Sequence, residues 1–210
     1  VRFEGRYATV ERLDPKKHGD SLWPLIGGKA KADLWRWMPD GPFPERASFN
    51  AALDYKTNSD DPLFFAILDH ASGQAAGIAS LMRNEPRHRV IEVGGIMYSP
   101  ALQRTRTATE AMYLMAKHVF GTMGYRRYEW KCNSQNEPSR AAALRLGFTF
   151  EGIFRQHMII KGANRDTAWF SMLDSEWPAR RAEFERWLDP ANFTDDGLQR
   201  TRLNQQVQCS

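Results

Sequence analysis

The segment best equipped for chemistry is Ser99-Pro100-Ala101-Leu102-Gln103-Arg104-Thr105-Arg106, which runs straight into a helix-patterned stretch at Thr107. The first turn of a helix leaves backbone N–H groups without intrahelical partners. The aligned peptide dipoles add about half a positive charge at the same end, so the position is a ready anion site. Arg104 and Arg106 can each grip a phosphate through paired N–H bonds, and Gln103 adds an amide donor. A diphosphate or polyphosphate ligand fits this loop. A plain capped helix with a solvated basic lead-in explains the same residues, and both readings stay open at this level. Neither G-x-x-x-x-G-K-[ST] nor G-x-G-x-x-G after a strand is present, so the loop is not a Walker-type P-loop or a dinucleotide fingerprint.

Other side chains qualify by type. Glu129 and Lys131 alternate on one strand face, where a paired or solvated role is the commoner one. His157 and Asp174 are titratable and near strand ends, but a lone His is more often a satisfied surface or core residue. Trp37-Met38-Pro39-Asp40-Gly41-Pro42-Phe43-Pro44 is a proline-fixed loop. With Trp35 it either walls an acceptor site or packs over the core. Cys132 reads as a buried strand residue and Cys209 stands near the end. Neither has a neighbour that makes a metal or redox pair, so a reducing compartment is expected, and no metal.

These residues need elements to position them. Leu63 to Leu68, Ala75 to Met82 and Val90 to Tyr98 read as strands, the last with Gly94-Gly95 inside it, the mark of a bulge or a close backbone approach. Thr107 to Met123 carries apolar residues at steps of three and four, with Thr107 and Glu110 as a capping box and Gly124 as its stop. Tyr128 to Asn133 is a strand. Asn136 caps a helix that ends before Gly147. Phe148 to Ile160 and Thr167 to Leu173 are strands joined by a turn at Lys161-Gly162-Ala163-Asn164. Before this block come a strand at Tyr7 to Val10, loosely helical spacing over 29–38 and a short helix over 45–57; after it comes a helix over 176–189. The order predicts an α/β sheet with one helical crossover between parallel neighbours. One domain over 1–190 and a polar, mobile tail over 191–210 are expected.

Composition narrows the classes. The chain has 210 residues, 42% of them hydrophobic and 26% charged, with a formal net charge of +4; this is ordinary for a folded soluble domain. The basic residues form pairs rather than runs, which argues against a dedicated nucleic-acid surface. The first twenty residues have no signal-like apolar core, and no apolar run approaches the ~20 residues that span a bilayer. A cytoplasmic protein is expected.

Three stretches resemble the GNAT N-acetyltransferase superfamily, and within it the branch of ribosomal-protein alanine/serine N-acetyltransferases. Ile91-Glu92-Val93-Gly94-Gly95-Ile96-Met97 is similar to that branch's fourth strand. Gln103-Arg104-Thr105-Arg106-Thr107-Ala108 stands where the family has its Q/R-x-x-G-x-G/A pyrophosphate loop. Lys131 to Ser139, with Leu146-Gly147-Phe148, resembles the N-x-x-S and G-F signature, Asn136, Ser139, Gly147 and Phe148 keeping the family spacing. The resemblance covers about residues 63–174. Arg106 replaces the loop's first glycine, which puts the loop's conformation in question.

The resemblance implies a GNAT fold: a mostly antiparallel mixed sheet, splayed between its fourth and fifth strands and flanked by helices. It implies acetyl-coenzyme A as donor substrate, with its arm along Ile96, Met97 and Tyr98, its pyrophosphate on Gln103, Arg104, Thr105, Arg106, Thr107 and Ala108, and further contacts from Asn136 and Ser139. The acceptor is a primary amine, on a protein or peptide N-terminus or a small molecule. Glu92 is then the candidate base, directly or through water, or else a structural carboxylate paired with an arginine. Ser139 is the candidate proton donor to the departing thiolate, or an ordinary helix-start hydroxyl. A coenzyme A-binding protein without catalysis is the alternative, and a basic RNA-associated module a more distant one. A homodimer is a weaker expectation, carried by the branch alone.

Overall fold

The computed structural model describes residues 1–204; Cys209 and the rest of 205–210 lie outside the described residues. Its strands are β1 (Arg2–Glu4), β2 (Ala8–Arg12), β3 (Leu63–Asp69), β4 (Gln74–Glu85), β5 (Val90–Tyr98), β6 (Arg127–Asn133), β7 (Thr149–Ile160) and β8 (Ala163–Leu173). Its α-helices are α1 (Pro15–Ile26), α2 (Arg46–Thr57), α3 (Arg106–Lys117), α4 (Glu137–Arg145) and α5 (Trp177–Leu188). The strands form one sheet in the order β1-β2-β3-β4-β5-β6-β8-β7. Every pairing is antiparallel except β5 with β6, which α3 connects. This is the α/β arrangement expected, the fourth and fifth strands of the sequence reading being β5 and β6. Two cores flank the sheet. One gathers the inward faces of α3 and α5, with Met115, Val119, Tyr128, Phe170 and Phe184. The other seats α1 and α2 through Leu22, Ile26, Phe49 and Leu53, with Trp35.

The parallel pair is short. Val90 to Val93 face Arg127 to Trp130, and the pairing goes no further. On the other side of β5, Gly95 and Ile96 oppose the single residue Ala79 of β4 between the pairs Ile78–Met97 and Ser80–Gly94. That extra residue is a β-bulge, which bends its strand. Gly95 holds φ +57°, and a Cβ there would stand 3.0 Å from Phe64 Cε1 and from Ser80 Oγ. The Gly-Gly break therefore turns β5 away from β6 and opens the sheet.

Four local expectations need correction. The helix α1 was not anticipated, because Gly19 and Pro24 cost about 1 and 3 kcal/mol inside a helix. Burial of Leu22 and Ile26, both fully enclosed, stabilises by about 1.5–3 kcal/mol each, which offsets that cost. Asp14, accepting from Lys16 N at 2.9 Å, caps its start. Residues 29–35 form a 3-10 turn rather than an α-helix. The helix α3 starts one turn-position early: Thr105, not Thr107, is the cap, its Oγ1 accepting from Ala108 N at 3.1 Å. Glu110 closes no capping box. It is buried, and its carboxylate accepts from Arg6, Tyr7 and Ala8 amides at 2.6–2.9 Å, tying the β1–β2 turn to α3. Finally, residues 191–204, read as a polar tail, contribute buried Phe193 and Leu203 to the core.

Candidate active site

The opening beside β5 is part of a continuous cleft of about 2040 Å³. Every residue assigned from sequence lines it: Glu92, Ile96, Met97, Tyr98, Gln103 to Ala108, Asn136 and Ser139. They come from three elements brought to one edge by the parallel crossover.

One end is built largely from backbone. Past Gly94 the side of β5 that would pair with β6 carries no strand partner, a geometry that suits an extended ligand arm. Arg106 and Thr107 amides find no acceptor among the described residues, as an anion site at a helix start requires. Arg106 opens α3 as a helical residue, so its backbone needs no glycine. The loop's positive φ falls instead on Arg104, at +61°. The Arg106 guanidinium is turned aside between the Tyr7 and Phe193 rings, 4.8 and 4.7 Å from their centroids. The substitution that put the loop in question therefore leaves its backbone free. Gln103 Nε2 donates to Tyr98 O at 3.2 Å, tying the loop back to β5. Thr107 donates to Asp69 Oδ1 at 2.7 Å. Burial pushes the Asp69 carboxyl up, but bonds from Thr107 and Ser72 outweigh it and hold it below its ordinary range.

At the first turn of α4, Asn136 Oδ1 accepts from Ser139 N at 3.2 Å, so Asn136 is a cap as well as a cleft residue. Ser139 Oγ accepts from Trp130 Nε1 at 3.0 Å. That bond uses a lone pair of Oγ, so the Ser139 hydroxyl hydrogen can still be donated, with the Cys132 sulfur as one acceptor in reach. Cys132 lies against it, and burial pushes the Cys132 thiol up, against nucleophilic use.

The other end is built from side chains. Glu92 is buried, with Oε2 3.2 Å from Arg83 Nε and 3.0 Å from Lys131 Nζ. Lys131 also reaches Glu129 at 2.6 Å and sits 3.8 Å above the Trp169 ring. Burial pushes the Glu92 carboxyl above its ordinary value, more than Lys131 and Arg83 pull it down. For Glu129 burial also pushes up, but Lys131 and Arg127 prevail and hold it low. Glu92 thus has the arginine partner of the structural reading, together with a raised pKa of the kind found at functional sites. Glu129 and Lys131 are the paired face expected. His157 binds Thr167 Oγ1 through Nδ1 at 2.9 Å, a satisfied residue. Asp174 does not line the cleft. The proline loop does reach it, through Trp37, Met38, Pro39 and Asp40. Trp35 stays in the core with its Nε1 on Ile26 O at 2.7 Å.

Sequence reasoning missed Arg83, Trp130, Arg145 and Arg165, all near or in the cleft. Arg83 and Arg165 lie outside any motif, and only the sheet brings Arg83 to Glu92 and Arg165 into the same cleft. Among the described residues no His, Cys, Asp and Glu group could hold a metal, and no helix is long and apolar enough to cross a membrane.

A mixed sheet opened at a bulge, with a helix start facing the opening, defines an acyltransferase architecture of the GNAT type. The comparisons agree. The family described as "Acetyltransferase (GNAT) domain" matches residues 24–149. A GCN5-related N-acetyltransferase from Brucella melitensis is 50% identical, covering 97% of this chain and 92% of its own, with a TM-score of 0.94. A probable GNAT-family acetyltransferase from Chromobacterium violaceum ATCC 12472 is 41% identical over 84% of this chain and 88% of its own, TM-score 0.78. The ribosomal-protein-S5-alanine acetyltransferase from Vibrio fischeri shares the fold at 18% identity, covering 84% and 98%, TM-score 0.63. Among curated proteins none matches. The chain belongs to the GNAT acetyltransferase family.

Proposed function

We propose that this protein is an N-acetyltransferase that moves the acetyl group of acetyl-coenzyme A directly to a primary amine. The observation that carries this is the convergence of the β5 edge, the α3 start and the α4 start on one cleft, with Glu92 buried beside it. The pantetheine arm fits the unpaired edge of β5 along Ile96, Met97 and Tyr98, and the pyrophosphate fits the amides of Arg106 and Thr107 with Arg104 and Gln103 beside them.

In this reading the neutral amine nitrogen attacks the thioester carbonyl carbon. The C–N bond forms and the C–S bond breaks. The amine proton passes to Glu92, directly or through a water, and the thiolate takes a proton from the Ser139 hydroxyl. Exchange with solvent restores both groups, so one proton moves net from nitrogen to sulfur. A base with a raised pKa is better matched to this than an ordinary carboxylate, because its strength lies closer to the working pH.

The test is release of free coenzyme A from acetyl-coenzyme A against a panel of small amines, amino acids and short peptides. Amine-dependent release in the native protein, reduced in Glu92→Gln, supports the reading. Binding of acetyl-coenzyme A with no amine-dependent release across the panel would leave a non-catalytic binder.

A further inference from the structure

Arg165 on β8 lies in the cleft wall, half-buried, on the same strand face as Thr167 and Trp169, the ring that carries Lys131. Its Nε donates to Thr167 Oγ1 at 3.2 Å, and it forms no ion pair among the described residues. The adjacent Asp166 does not serve it: that carboxylate accepts from Gln156 N and Asn164 Nδ2. Glu92 is close enough to influence Arg165, but its Oε2 already faces Arg83 and Lys131. Glu129 is likewise shared by Lys131 and Arg127. Of the three cations Arg83, Lys131 and Arg165, the first two reach a carboxylate, Glu92 or Glu129, and Arg165 reaches neither. Their joint field reaches His157, whose pKa burial lowers first and all three cations lower further. A guanidinium is rarely held out of bulk water without an anion, because desolvating a charge is costly unless it is paired.

We infer that the acceptor amine carries a carboxylate close to its nitrogen, and that Arg165 binds it beside Glu92. The cleft is also walled by Trp37, Met38, Met158 and Ile160, Met158 standing opposite Arg165 across β7 and β8, which suits an apolar side chain. The substrate class is thus a free amino acid, or a close analogue, with an apolar side chain. This inference rests on the acyl-transfer reading above.

The experiment compares matched pairs: phenylalanine with phenylalaninamide, and leucine with leucinamide, as acceptors for acetyl-coenzyme A. The amide members are the less basic amines, so any bias from ionisation runs against the proposal. The carboxylate member should have the higher kcat/KM, by about tenfold or more, the scale of one charge-assisted pair. Arg165→Met should remove that preference, mainly through KM, while Arg165→Lys keeps part of it. A second arm needs no turnover: coenzyme A-loaded protein is titrated calorimetrically with N-acetylphenylalanine and with N-acetylphenylalaninamide. The carboxylate should bind tighter in the native protein and lose its advantage in Arg165→Met. Preference for the amide, equal binding or no detectable binding of the carboxylate overturns the inference. So does an equal fall in kcat for both members in Arg165→Met, which would assign Arg165 to the reacting carbonyl oxygen. Turnover of neutral amines alone sinks only this inference. Absence of all amine turnover, with carboxylate binding retained, sinks the acyl-transfer reading instead.

Discussion

The two ends of the cleft are made of different material. The end proposed for the donor is backbone: an unpaired strand edge, helix-start amides and a helix cap, all within residues 94–139. The end proposed for the acceptor is side chains: Arg83, Glu92, Lys131 and Arg165 with the Trp37 to Pro39 loop, drawn from four strands and a loop. A backbone site tolerates replacement of its side chains, as Arg106 shows by standing where the family has glycine and turning its guanidinium aside to Tyr7 and Phe193. A side-chain site has no such tolerance, because each charge there is set by the others. One half can thus stay fixed in a family while the other changes substrate.

Substitutions can break or sharpen that contrast. The largest effect is expected from Glu92→Gln. Turnover should fall by about 10²–10⁴, the range for losing a general base, with acetyl-coenzyme A affinity within about twofold. The pH profile gives the sign. Glu92 acts when ionised, and burial raises its pKa above the ordinary 4.5, so kcat/KM should drop as pH falls through that raised value. The variant should lack this acid limb, while the acceptor amine's own ionisation remains in both. Next is Gly95→Val, which places a branched side chain at φ +57° with its Cβ 3.0 Å from Phe64 and Ser80. The left-handed backbone alone costs about 1–2 kcal/mol, so thermal unfolding should come several degrees lower, and donor binding should weaken as the bulge shifts. Arg104→Ala should weaken coenzyme A by about tenfold, the scale of a charge-assisted bond, and leave pantetheine lacking the pyrophosphate unaffected. Equal weakening of both ligands would remove Arg104 from the phosphate site. Arg106→Gly should do least: coenzyme A affinity within about threefold, and a small loss of stability from two ring contacts worth about 0.5–1 kcal/mol each. A large loss of affinity there would mean that the side chain, not the amide, holds the ligand.

The same contrast explains what was legible in the sequence. The donor end could be read because its physics is local. Gly94-Gly95 marks a bulge and Asn136 marks a cap, each within a few residues of its consequence, whereas α3 ends at Lys117, ahead of the stop read at Gly124, and a π-turn fills His118–Thr122. The start of α3 was read one cap too late, since Thr105 and Thr107 are chemically alike and only the fold sends Thr107 to Asp69. Glu110 matched a local motif but serves the β1–β2 turn about a hundred residues away in sequence. The helix α1 was hidden because burial of Leu22 and Ile26 overrides an unfavourable local composition. Arg165 had no signal at all: no motif contains it, and its place in the cleft wall follows from β8 joining the sheet beside β6, a long-range fact.

The most direct test is a calorimetric titration of native protein and Glu92→Gln with acetyl-coenzyme A, paired with turnover on the same samples. The account predicts one site per chain, equal micromolar affinity in both proteins, and amine-dependent turnover lost only in the variant. Loss of donor binding in Glu92→Gln, or no binding in the native protein, would contradict it, because the two ends of the cleft would then not be separable.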